Sequence, residues 1–245
     1  MPARLSISTT TYSKAYLAVA WKTRSELQDY ERRGFGQFMY LTMCAHMEGV
    51  IEALIRNRLH SITHMVKWES LPPMQMKDGK HVQLYDLTPV YESLLNIVGE
   101  VKNESRNAPL AKLIQRYNMM FSLPIREVVG KDLYEDLQAL AALRNLFAHG
   151  REFFLEFEDP FEAHASLDAN PVQQATLRLH QAGIINNLKI TGQNHPEFKS
   201  AFYSDDALLY FYRAVQQIHK ILCGSVTFEP EAQLYRVPEL PVLET

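Results

Sequence analysis

Cysteine is scarce: the chain has two in 245 residues, Cys44 and Cys223. That excludes a disulfide-built scaffold, and the length is enough to bury a full core without staples or metals. Both thiols fall inside apolar helical patterns, so the sequence predicts two buried thiols in a reducing compartment. Charge of one sign is missing too. The formal net charge is -3 and the pI is near 6.3, which excludes a broad field attracting nucleic acid. Any contact with a polyanion has to rest on a local patch. No apolar run approaches the ~18–20 residues of a membrane span. The apolar stretch 15–21 is short and is followed by Lys22 and Arg24 rather than a cleavage site, so it does not read as a signal peptide. The expectation is a cytoplasmic protein with no membrane partner.

Several motifs are absent as well. There is no G-x-S-x-G, no phosphate-binding P-loop, no paired C-x-x-C and no dinucleotide fingerprint. Esterase-type hydrolysis, nucleotide-driven chemistry and zinc-finger folds lose their usual supports. His46, Glu48 and Glu52 are residue types that bind metals. Positions 48 and 52 share a helix face, but 46 points elsewhere, and no H-E-x-x-H pattern follows. The sequence therefore predicts no metal and no cofactor.

Helical periodicity is abundant. Residues 12–30 have near-helical spacing. Residues 35–66 give the strongest pattern, with Phe38, Leu41, Cys44, Met47, Ile51, Leu54, Ile55, Leu59 and Ile62 on one wide stripe. Leu71-Pro72-Pro73 ends that order, and Met76 to His81, with Gly79, reads as a loop or hairpin tip. Thr88-Pro89 is a cap followed by proline at the first helical position, predicting a helix to about Lys102. Further helices are expected over 108–121, as a short turn at 123–129 stopped by Gly130, and over 132–149. The segment 151–203 breaks the rhythm. Its Phe153-Leu155-Phe157 alternation suggests a strand, Asn170-Pro171 caps a helix to about Ala182 that Gly183 ends, and Ile184 to Ile190 suggests a second strand. Ser204-Asp205-Asp206 then caps a last helix through Cys223, ended by Gly224. The pattern predicts an all-α fold: one helical domain over 1–245, with a small α/β insertion at 151–203 before the last helix and an irregular tail at 225–245.

Chemistry concentrates in one place, Leu143-Arg144-Asn145-Leu146-Phe147-Ala148-His149-Gly150. RNA can be cleaved without metal when a base deprotonates a 2′-hydroxyl and an acid protonates the leaving 5′-oxygen. Histidine suits these transfers, its unperturbed pKa being ~6.5. Arginine suits the phosphoryl charge, because its planar fork donates two parallel hydrogen bonds. Arg144 and His149 are separated by roughly 140° and ~7.5 Å on an ideal helix. A long arginine side chain and a deformed last turn would be needed to join them. Asn145, one turn before His149, can orient the imidazole or hold a phosphate. The C-terminal end of the helix dipole favours the imidazolium form of His149, which suits a general acid.

The run Arg144 to Gly150 resembles the signature of the HEPN superfamily, including the asparagine after the arginine and the small residue and glycine around the histidine. The helix from Tyr40 to Leu59, carrying Glu48 among apolar residues, is similar to the early helix of that family. The resemblance is sharp over about seven residues and diffuse over 35–150 and 204–223, while 151–203 departs from a minimal bundle of the type. It implies a HEPN-like helical bundle that dimerises to form one RNA-cleaving cleft, with Arg144, His149 and Asn145 as the catalytic set. It also implies a defence or toxin–antitoxin role with a cognate antitoxin or regulatory protein. Glu48 would either tether Arg144 or be a boundary glutamate facing solvent, and Arg151, next to the motif, is the best additional phosphate contact. A non-catalytic RNA- or protein-binding module of the same fold is the alternative. Retention of Arg144, Asn145 and His149 together favours catalysis, and the weak acidity favours binding alone.

Overall fold

A computed structural model describes residues 10–69, 74–77, 80–83, 88–106, 108–149, 171–185, 201–226 and 237–243. The described chain is predominantly helical. In chain order it contains α1 (Thr10–Thr23), a 3-10 turn (Arg24–Glu26), α2 (Asp29–Glu69), β1 (Met74–Lys77), β2 (Lys80–Gln83), α3 (Thr88–Ser105), α4 (Leu110–Met120), α5 (Ile125–Val129), α6 (Lys131–His149), α7 (Pro171–Gln181) and α8 (Asp205–Ser225). β1 and β2 pair antiparallel, Met74 opposite Gln83 and Lys77 opposite Lys80, so Met76, Lys77, Lys80 and His81 of the expected loop or hairpin tip are in paired strands. The first strand expected within the insertion falls outside the described residues, as does the second beyond Ile185; Ile184 and Ile185, where the second was expected to begin, are in the turn that ends α7. The insertion's helix is present, as α7.

The chain divides into two compact units, Met1–His46 with Val129–Lys220 and Pro238–Thr245, and Met47–Val128 with Ile221–Val237. In the first, Leu17, Trp21, Met39, Tyr40 and Met43 are buried, as are Leu137, Leu140 and Leu143 of α6 and Leu208, Phe211, Val215 and Ile218 of α8. In α6 and α8 these positions recur every three or four residues, the spacing that puts them on one face. In the second unit Met47, Ile51, Leu54 and Ile55 of α2 are buried, together with Leu113, Ile114 and Tyr117 of α4. One correction concerns the thiols: Cys44 is buried but Cys223 is exposed, and neither is in a disulfide. Another concerns apolar length. Over Asp29–Thr63, α2 is long and apolar enough to cross a membrane, although 56% of its apolar window is buried in the protein, as in the core helix of a soluble fold.

Helix ends follow local chemistry. Ser204 caps α8, its Oγ accepting the Ala207 N–H at 3.2 Å. Asp205 adds charge at that positive end and holds both Arg24 and Arg32 at 3.0 Å. The Arg24 guanidinium also lies 3.7 Å over the Trp21 ring. Past α7, Gly183 adopts φ +72°. Its N–H reaches His180 O and the Ile184 N–H reaches Leu179 O, both at 2.9 Å, which is the pair of bonds of a Schellman stop. Gly224, expected to end the last helix, lies inside it, and α8 continues to Ser225.

Close packing makes one glycine obligatory. A Cβ on Gly36 would lie 2.7 Å from Cδ1 of Tyr203, whereas one on Gly34 meets nothing within 4 Å. Both are interior positions of α2, where alanine is favoured over glycine by about 1 kcal/mol. Gly34→Ala should therefore stabilise the fold by about 0.5–1 kcal/mol. Gly36→Ala must displace a packed ring, which costs about 1–3 kcal/mol and outweighs the propensity gain. Urea unfolding of the two variants should give midpoints shifted in opposite directions.

The tyrosines make stability depend on alkali. Burial pushes the phenols of Tyr40, Tyr117 and Tyr212 above their usual range. Tyr210 is pushed up to about 12 by burial and by the hydrogen bond and charge of Asp136, partly offset by Arg178. A phenol with a raised native pKa keeps a proton that the unfolded chain gives up near ~10. Its contribution to stability is thus full below pH ~10 and is lost as pH rises through the native value. Absorbance at 295 nm should show exposed tyrosines ionising first. These four should ionise later, in step with loss of helical circular dichroism.

Candidate functional site

Three residues anchor the end of α6. Leu143 and Leu146 are buried, and the half-buried Phe147 stacks on Tyr40 with centroids 5.4 Å apart and lies 5.7 Å from Tyr203. Tyr40 is itself fixed by its hydroxyl, which donates to Phe202 O at 2.7 Å. With these residues turned inward, the helix must turn Arg144, Asn145 and Ala148 the other way. Arg144 is half-buried, and Asn145 and Ala148 are exposed. Residues one apart do not normally face each other on a helix. Here the guanidinium curls back, and Nη1 donates to Oδ1 of Asn145 at 3.1 Å. That bond occupies one of five guanidinium donors and leaves the amide NH2 of Asn145 pointing away from a cation. His149 is the last residue of α6, one helical turn beyond Asn145. Arg151 lies outside the described residues.

Glu48 belongs to the second unit, Arg144 to the first. The Glu48 carboxylate accepts the backbone N–H of Leu110 at 3.1 Å. α4 is preceded by Pro109, which offers no side-chain cap, so Glu48 supplies from α2 the acceptor that the start of α4 lacks. Of the other arginines, Arg32 pairs with Asp205 and Arg56 with Glu52. Arg33 is exposed and has no hydrogen-bond or ion-pair partner among the described residues.

Two polar clusters in the first unit escaped the sequence. His46 Nε2 and His219 Nδ1 are 2.9 Å apart, in rings that are both buried. One ring must offer N–H and the other a lone pair, so the contact fails if both become cations. Asp136, 4% exposed, accepts from Arg178 Nε at 2.7 Å and from the Tyr210 hydroxyl at 2.8 Å. This joins α6, α7 and α8. Burial alone would disfavour the Arg178 cation, but the hydrogen bond and charge of Asp136 outweigh it and raise the pKa. The available signal was phase: Asp136 lies on the inward side of α6 beside Leu137 and Leu140, and His219 lies inward on α8 beside Ile218. Among the described residues no group of three His, Cys, Asp or Glu side chains could hold a metal ion.

Compared with known protein families, curated proteins and solved structures, the chain finds no match.

Proposed function

We propose that this protein is a metal-independent endoribonuclease of the HEPN type, acting in the cytoplasm as a homodimer in a defence or toxin–antitoxin setting, with a cognate antitoxin or regulator. The observation that carries the reading is the Arg144–Asn145 pair. It is a cation and an amide joined on the outward side of the last turns of α6, one turn from a terminal histidine. In this reading His149 moves the proton, and Arg144 binds the phosphate and the charge that grows on its oxygens. Asn145 holds the guanidinium in place, and Arg151 adds a flanking phosphate contact. The 2′-oxygen bonds to phosphorus as its proton leaves, the P–O5′ bond breaks, and O5′ takes a proton. The products carry a 2′,3′-cyclic phosphate and a free 5′-hydroxyl. Incubating the protein with a mixed RNA pool in EDTA tests this. Fragments with cyclic-phosphate ends are expected, and no cleavage by well-folded protein would count against it.

A second reading has its own support. The net charge of -3 gives no general attraction for a polyanion, which suits a non-catalytic module that uses the same face to bind RNA or a protein.

A further inference from the structure

α8 carries a second polar site, within the first unit. An open depression of about 320 Å3 is bordered by Arg213, Gln216, Gln217, His219 and Lys220 of this helix and by Glu239 and Leu240 of the C-terminal segment. Arg213, Gln216, Gln217 and Lys220 are spaced i, i+3, i+4 and i+7, so these four form one face. Arg213 and Lys220 stand ~10.5 Å apart along the axis, within reach of one central group by their long side chains. Both are exposed, as is Glu239, and none of the three has a hydrogen-bond or ion-pair partner among the described residues. Two cations and a carboxylate thus surround one concavity without neutralising one another.

The far wall is tied down. The Tyr212 hydroxyl donates to Pro241 O at 2.6 Å, the Gln216 amide donates to the same oxygen at 3.2 Å, and the Leu240 side chain is buried. A wall held by these contacts adds little ordering cost on binding. The volume is at the lower end of small-molecule sites, roughly 300–1,000 Å3.

We propose that this depression binds a nucleotide-sized phosphate monoester, with Arg213 and Lys220 on the phosphate and Glu239 on a donor edge of the ligand. Two cations match a dianion, whereas a single carboxylate would leave one of them unsatisfied. The arginine fork and the lysine point charge are the usual pair for phosphate. A carboxylate at the rim opposes a continuing polyphosphate backbone but accepts well from an exocyclic amine such as that of cytosine. This favours a free mononucleotide over a nucleic-acid strand.

Titration calorimetry of the full chain with CMP, AMP, cytidine and inorganic phosphate tests the proposal. CMP or AMP should bind at least tenfold more tightly than cytidine and more tightly than phosphate alone. R213Q/K220Q should weaken nucleotide binding at least tenfold, with circular dichroism unchanged because both side chains are exposed. E239Q should weaken CMP but not phosphate. Any one of several results would overturn the proposal: no binding of either nucleotide at millimolar concentration, cytidine binding as tightly as CMP, or phosphate binding as tightly as CMP. Nucleotide affinity kept by R213Q/K220Q but lost in R144A would place the ligand at the end of α6 and also overturn it.

Discussion

Arg144→Ala is expected to reduce metal-free RNA cleavage about 10²–10³-fold, the range seen when one preorganised donor to a developing oxyanion is removed. His149→Ala should lose about 10²–10⁴-fold, the range for a positioned acid or base. Arg144 is half-buried and its only bond among the described residues is to the exposed Asn145, so its removal empties no core position and the variant should melt within about 0.5 kcal/mol of wild type. Arg144→Lys separates charge from geometry. Lysine keeps the cation but loses the fork, and an intermediate rate is expected if two parallel bonds to phosphate matter. Asn145→Ala should cost less than Arg144→Ala, since its amide holds the guanidinium rather than the reacting atoms. The measurement is single-turnover cleavage in EDTA, with fragment ends assayed for cyclic phosphate. Wild-type rates in Arg144→Ala would remove the proposed roles at α6 and leave the binding-module reading.

Helical phase was the legible part of this fold. Long apolar stripes announced α4, α6 and α8 within a few residues of their ends, and the body of α2 but not its start, which lies at Asp29 rather than at 35, because every third or fourth position had to be apolar for a helix to bury one face. Stops that depend on one residue were legible where the backbone demands that residue. Gly130 and Gly183 take positive φ, while Gly224, equally plausible by sequence, sits in a helix where nothing requires glycine. Exposure of Cys223 was missed because a small sulfur side chain does not reveal which side of an apolar stripe it occupies. The candidate site was legible as a motif, and the contact between Arg144 and its immediate neighbour was not, because i, i+1 positions diverge and only the length of arginine closes the gap. Glu48 shows the other limit. Its acceptor role at Leu110 joins residues 62 apart in sequence, and no local pattern announces such a pair.

Asp136→Ala should be the most destabilising of the substitutions considered, by about 3 kcal/mol. Asp136 is buried and accepts from Arg178 and Tyr210 on one oxygen, while the Arg178 side chain is only 11% exposed. Removing the carboxylate leaves a largely buried cation short of its nearest partner, a change that costs about 3–5 kcal/mol. The lower end applies because Glu135 and Asp132 remain 3.4 and 3.5 Å from the guanidinium. For a chain of this size the loss corresponds to a melting point about 6–12 °C lower. Asp136→Asn keeps an acceptor for Tyr210 and should cost less than alanine, which isolates the charge from the hydrogen bonds. The double change Asp136→Leu with Arg178→Met removes both partners and replaces them with apolar volume. It should recover much of the loss, since a missing pair is cheaper than half of one. Thermal melts of the three variants decide the matter. If alanine and the double variant melt alike and well below wild type, packing around residue 136 carries the effect. If only alanine is low, the stranded arginine does, and this triad is an ion-pair clasp joining α6, α7 and α8 within the unit that presents Arg144.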